Sequence, residues 1–243
     1  MNKYLLILFL LLPGSIFASS EGPALERAPI DPRDAASLQR GARVFVNHCL
    51  SCHSAEFMRY KGMEALGLTP DEIRENLIFT DAKVGDLMKI SMRRQDAKAW
   101  FGAAPPDLSV IARSRGPDWL YGYLRTFYRD DSTLTGWNNL VFPNVGMPNV
   151  LWQLQGEQGV KVEEKTDAHG QKVEHKELAL AAKGSMTPVE YDQAIADLVN
   201  YLVFMGEPTR AKRIQVGIIA LFLLSVLFAF AYWLKKEYWK DVH

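Results

Sequence analysis

The chain of 243 residues holds only two cysteines, and they stand close together, at Cys49 and Cys52. Once those two are otherwise engaged, nothing is left to form a structural disulfide. An exported form must then be held by packing and by whatever the two thiols bind. Positive charge is not in excess: 28 Lys and Arg balance 28 Asp and Glu, with no basic stripe or polybasic run. That argues against a nucleic-acid partner. No internal repeat is visible. No second Cys/His pair follows at zinc-ligand spacing, and no βαβ pattern surrounds the cysteines as in a thioredoxin-like redox pair.

What is present is the run Cys49-Leu50-Ser51-Cys52-His53. C-x-x-C-H is the attachment signature of a c-type haem. Two thiols one helical turn apart can add to the two vinyl groups along one porphyrin edge. The histidine that follows is then placed under the iron as a neutral imidazole ligand. The motif therefore predicts one covalently bound haem c, a redox function and an export route.

The balanced charge is unevenly spread. Between Ser20 and Glu207 there are 26 Asp and Glu against 21 Lys and Arg. An acidic body suits a basic docking partner, and equally a merely soluble surface. The other basic residues flank two apolar ends. Lys3 precedes an apolar run from Tyr4 to Leu12, broken by Pro13-Gly14 and followed by small residues to Ser20. This is the layout of a secretory signal peptide, expected over residues 1–19. Ile214 to Leu234 is apolar apart from Gln215 and Ser225, long enough to cross a bilayer as a helix. Tyr232, Trp233, Tyr238 and Trp239 form an aromatic belt at its far end. Flanking charges tie, so orientation follows from the leader: residues 20–210 as a periplasmic haem domain, 211–235 as a transmembrane helix of the bacterial inner membrane, and 236–243 as a cytoplasmic tail.

Between these ends the pattern reads as mainly α. Asp34 is placed to cap a helix from about Ala35 to Asn47, with Leu38, Ala42, Phe45 and Val46 on one face. Phe57 to Lys98 is mixed, with a helix start at Thr69-Pro70 and a plausibly helical stretch carrying Met88 and Met92. Pro105-Pro106 form a rigid turn. Asp107 to Arg115 reads as a helix, Gly116-Pro117-Asp118 as a break, and Trp119 to Tyr128 as another helix. Asn138 to Val150 reads as a loop. Gly156 to Lys183 is charged and reads either as a β-hairpin turning near Asp167 to Gly170 or as a disordered insertion. Thr187-Pro188-Val189-Glu190 is a capping box opening a helix to about Met205.

A haem iron bound by His53 keeps one axial position, which electron carriers commonly fill with a methionine thioether. Met58 and Met63 lie close to His53 in sequence, Met205 is on the final helix, and His48 would have to cross the ring. Pattern leaves two candidates even: Met147 in a Gly-Met-Pro turn, and Met186 just before the final capped helix.

These residues resemble the cytochrome c1 family in its proteobacterial form. The likeness rests on Arg40-Gly41 leading to Cys49-Leu50-Ser51-Cys52-His53-Ser54, on Pro105-Pro106-Asp107-Leu108-Ser109, on Ala112-Arg113-Ser114-Arg115, on Pro143 to Pro148, and on a final helix running into one C-terminal span. The resemblance implies a class I cytochrome c-like haem domain with loop or hairpin insertions. It implies Met147 as the sixth ligand, Arg115 at a haem propionate, and Pro105 and Pro106 against the haem. It implies an electron-carrying subunit of quinol–cytochrome c reductase that performs no bond chemistry. The electron would come from a Rieske iron-sulfur protein and go to a cytochrome c, with cytochrome b as a further partner. The charged insert departs from the shorter connection of mitochondrial relatives. Two other readings share the haem motif: a free-standing membrane-anchored cytochrome c shuttle, and a haem-based sensor with an open or labile sixth site.

Overall fold

The computed structural model describes residues 25–166 and 172–242; the expected signal peptide lies outside them. About 50% of the described residues are helical. In chain order the elements are α1 (Ala35–His48), β1 (Ala55–Arg59), a 3-10 turn (Tyr60–Leu66), α2 (Pro70–Leu77), β2 (Leu87–Met88) and α3 (Arg94–Phe101). Then come α4 (Ile111–Ser114), α5 (Pro117–Arg125), β3 (Phe127–Arg129), β4 (Trp137–Asn139) and α6 (Trp152–Gln155). The long strands β5 (Gly156–Thr166) and β6 (Lys172–Lys183) lead to α7 (Pro188–Gly206) and α8 (Arg210–Tyr238).

The frame of the body is the packing of α1 against α7. Asp34 caps α1 by accepting from the Ser37 N–H at 3.0 Å. Thr187 and Glu190 close a reciprocal capping box on α7, with Pro188 at the first position. In α1, Leu38, Gly41, Ala42 and Phe45 recur at helical spacing and are buried. They meet Ile195, Leu198, Val199, Tyr201 and Leu202 of α7 in one core. Each large aliphatic or aromatic side chain so buried contributes about 1.5–3 kcal/mol. Polar groups fix the register. Arg40 forks onto Asp197 (Nε to Oδ2 2.6 Å, Nη2 to Oδ1 2.9 Å). Asn200 donates to the Ser37 hydroxyl at 2.9 Å and to the Asp31 carbonyl at 2.7 Å.

Two expected helices are shorter or shifted. The segment read as a helix from Asp107 is helical only over Ile111–Ser114. Its first residues bond elsewhere: Asp107 accepts from the Glu56 and Ser109 N–H groups, and the Leu108 N–H reaches the Ser54 carbonyl. Those side-chain and cross-chain bonds outcompete a helical ladder. The next helix begins earlier, at Pro117, because proline is accommodated in a first turn. It also ends earlier. Thr126 is its C-cap, and Phe127 to Arg129 pair antiparallel with Asn139 to Trp137 instead. Met88, read within a plausibly helical stretch, sits in a strand paired with β1 and is fully buried.

The charged insert forms two paired antiparallel strands, Gly156 opposite Lys183 through Thr166 opposite Lys172, with one register shift. The expected turn near Asp167 to Gly170 lies outside the described residues. The root of the strand pair is tied to the body. Gln158 donates to the Arg125 and Phe127 carbonyls at 3.0 and 2.9 Å, and Glu157 pairs with Arg129.

The loop from Asn138 to Val150 is organised by two buried asparagines. Asn138 accepts from the Asn144 N–H at 2.8 Å. Asn139 accepts from the Val141 and Phe142 N–H groups at 2.9 and 3.0 Å, and donates to the Tyr123 carbonyl at 2.7 Å. Asn139 is 1% exposed. Replacing it by alanine strands the buried Tyr123 carbonyl and the Val141 and Phe142 N–H groups, and is expected to cost about 3 kcal/mol. Chemical denaturation of the purified full chain checks this; a loss under about 1 kcal/mol would show that this network does not hold the loop.

α8 contains an apolar stretch, Lys212–Tyr238, with mean hydropathy 2.6 in its most apolar window and none of that window buried against the rest of the protein. By length and composition it is able to cross a membrane.

Candidate functional site

α1 does not stop abruptly at His48. The Cys49 and Leu50 N–H groups still reach the Phe45 carbonyl, and the Cys52 and His53 N–H groups fold back onto the Cys49 carbonyl at 3.1 and 2.9 Å. This turn brings Cys49, Cys52 and His53 to one cavity of about 420 Å³. Leu198 and Leu202 of α7 line it, as do Leu120, Tyr123 and Leu124 of α5. Pro105 and Pro106 line it too, and Met147 is supplied by the Asn138–Val150 loop. The size falls in the range of cofactor sites, and most of the lining is apolar.

The imidazole of His53 is held by its Nδ1, 2.7 Å from the Pro106 carbonyl. A carbonyl only accepts, so Nδ1 carries the proton and Nε2 keeps its lone pair. That is the tautomer of a metal-ligating histidine oriented by a backbone carbonyl. Burial also lowers the His53 pKa, which favours the neutral form; the Pro106 contact and Asp107 pull less strongly the other way.

Met147 Sδ accepts a hydrogen bond from the Tyr123 hydroxyl at 3.4 Å. The Gly146 that precedes it is dictated by packing: a Cβ at this position would stand 2.8 Å from the Phe101 carbonyl oxygen. Glycine lets the turn approach α3 closely enough to present the methionine. The Arg115 guanidinium lies over the Trp119 ring at 5.0 Å and the Phe142 ring at 5.6 Å, and all three residues line the cavity. Stacking of this kind leaves guanidinium N–H groups available for an anion.

Every site residue expected from the sequence lines this cavity: Cys49, Cys52, His53, Met147, Arg115, Pro105 and Pro106. Of the two methionines that pattern left even, Met147 lines it and Met186 does not. Met186 is partly buried against the main core, at the start of α7. His48, which sequence position set aside, also borders the cavity. Sequence reasoning missed Tyr123, Trp119 and Phe142. The available signal was the aromatic richness of Trp119 to Tyr128, which reads equally as core. A second cavity, about 460 Å³, lies on the opposite face of α5 among Gly122, Arg125, Tyr191 and Leu180. It contains none of the expected site residues.

The donor set suits a haem c. The two thiols, the histidine and a thioether line the same cavity, and most of its other lining is apolar. It does not suit a dithiol redox centre. Burial, aided by Cys52, pushes the Cys49 thiol up to about 12, whereas reactive C-x-x-C thiols are shifted down.

The site is of the kind that holds the haem of a c-type cytochrome. A family model described as the Cytochrome C1 family matches residues 26–242. The chain is 49% identical over 243 residues to a protein of Nitrosomonas europaea named ammonia monooxygenase gamma subunit, covering 100% of this chain and 99% of that one. It is 47% identical over 245 residues to the cytochrome c1 of Allochromatium vinosum, covering 100% of both. It is 28% identical to the cytochrome c1 of Rhodospirillum rubrum, covering 86% of this chain and 83% of that one. The chain belongs to the cytochrome c1 family. Its proteins bind haem c, and cytochrome c1 is the haem subunit of the bc1 complex, so the function is respiratory electron transport.

Proposed function

We propose that the body is a class I cytochrome c-like domain in which Cys49 and Cys52 would hold one haem c through thioether bonds and His53 and Met147 would bind its iron. When bound, the haem supplies a one-electron Fe(II)/Fe(III) couple. His53 is kept in one tautomer and one orientation by Pro106. Met147 is kept in place by its Tyr123 contact and by the loop that Asn139 anchors. Rigid ligands change little between oxidation states, which keeps reorganisation small. The apolar walls and the thioether set the potential. Arg115 is placed to pair with a propionate through charge-assisted bonds, and Pro105 and Pro106 to wall the ring.

The chain performs no bond chemistry of its own. Within a quinol–cytochrome c reductase it takes electrons from a Rieske iron-sulfur protein, beside cytochrome b, and passes them to a cytochrome c. Residues 1–19 serve as the signal peptide and 20–210 as the periplasmic domain. Residues 211–235 anchor it in the bacterial inner membrane, and 236–243 end in the cytoplasm.

The observation that carries this reading is the meeting of both cysteines, a Pro106-oriented His53 and Met147 in one apolar cavity. The test has two parts. The mature chain, denatured and run on a gel, should retain a peroxidase-staining pigment and weigh more than its amino acids by one haem. Purified in mild detergent, it should bring a b-type haem and an iron-sulfur protein with it. A colourless denatured chain sinks the covalent assignment; recovery alone sinks the assignment of partners and favours the free-standing shuttle.

A further inference from the structure

We propose that Tyr123 is a positioning residue for the sixth ligand: its hydroxyl donates to one lone pair of the Met147 sulfur, leaving the other for the iron, and so raises the reduction potential. This rests on the reading of Met147 as that ligand. The O–H to Sδ separation is 3.4 Å, a normal length for a sulfur acceptor. A thioether is a weak acceptor, so a buried phenol placed against one calls for a reason beyond satisfying the phenol.

The donor cannot drift. The Tyr123 ring is stacked on Trp119 (centroids 4.8 Å apart, planes at 11°) and meets Phe127 edge-on at 5.0 Å. Its carbonyl takes the Asn139 amide, while the Asn139 carbonyl oxygen holds the Val141 and Phe142 N–H groups of the loop that delivers Met147. One buried side chain therefore fixes donor and acceptor relative to each other. The positive end of the O–H dipole points at the sulfur. It withdraws electron density from that ligand and disfavours the extra positive charge of Fe(III) relative to Fe(II), in a cavity where the dielectric is low.

The test uses the full haem-loaded chain in mild detergent, with Tyr123→Phe and, as a control, Tyr121→Phe. Tyr121 is buried on the same helix, lies beneath Arg125 and does not line the haem cavity. Tyr123→Phe keeps the ring stack and removes only the hydroxyl. The expected result is a lower midpoint potential, corresponding to a redox equilibrium constant changed by up to about tenfold, or about 59 mV for one electron. Tyr121→Phe should leave the midpoint where it was.

Loss of the sulfur-to-iron absorption band in Tyr123→Phe, with carbon monoxide binding gained, would equally support the proposal, since the hydroxyl would then be what holds the sulfur. An unchanged midpoint with the band intact overturns it. In the unaltered reduced protein, a slowly exchanging Tyr123 hydroxyl proton should show cross-relaxation to the Met147 methyl group in NMR spectra; its absence overturns the proposal without any variant. If the unaltered protein has no sulfur-to-iron band, the ligand assignment itself fails, and that outcome is distinct from the others.

Discussion

Replacing Met147 by leucine is expected to lower the haem potential by a large part of the roughly 0.8 V that axial ligation spans among haem proteins, and to open the iron to carbon monoxide. Leucine is close to methionine in volume, so the loop should still pack. Only the sulfur is lost, and with it the proposed sixth ligand and the acceptor for the Tyr123 hydroxyl. Leaving that hydroxyl without a partner costs about 1–3 kcal/mol, a secondary effect on stability. Thioether ligation raises the potential and blocks small ligands, so both consequences follow from one atom. A redox titration and a reduced spectrum taken under carbon monoxide measure them. An unchanged midpoint with no gas binding would eliminate Met147. Met186→Leu, at a residue that does not line the cavity, should shift the midpoint far less.

The second large effect is structural. Gly41→Val is expected to destabilise the haem-loaded protein by about 3 kcal/mol or more and to depress the yield of folded chain. A Cβ at position 41 would overlap the Asp197 carbonyl oxygen and lie 2.6 Å from its carbon and 2.8 Å from the Tyr201 Cβ. Two of these are backbone atoms of α7, so no rotamer change relieves the clash. The helices would have to separate against the Arg40–Asp197 fork and the Asn200–Ser37 bond. Since total stability is commonly about 5–15 kcal/mol, the loss is a large fraction of it. It also reaches the site, because α1 runs directly into the cysteine motif. Denaturant unfolding followed by haem absorbance measures the change. An unaltered midpoint would show that α1 and α7 do not meet at Gly41.

The parts of the fold that sequence reading found were those with short-range signals. Asp34 and Thr187 cap their helices within three residues, and the apolar spacing of α1 needs only its own length. Apart from Met88, which pairs in a strand, the errors lie between Asp107 and Tyr128. There Asp107 bonds to Glu56, Leu108 to Ser54, and Phe127 to Tyr128 to a strand ten or more residues on. Helical propensity was a poor guide because partners distant in the sequence took the backbone groups.

The same division runs through the site. The motif from which we propose covalent attachment is five consecutive residues, and the membrane-length helix is one continuous apolar run; each depends on neighbours alone. The choice between Met147 and Met186 was not local. Two methionines, both beside a proline-containing turn, have the same side-chain chemistry. Only the α1–α7 packing, the asparagine-anchored loop and the close approach allowed by Gly146 bring one of them into the cavity with His53, while the other is partly buried outside it. Distances across a cavity are set by packing between segments about a hundred residues apart in the chain, and periodicity carries no record of them.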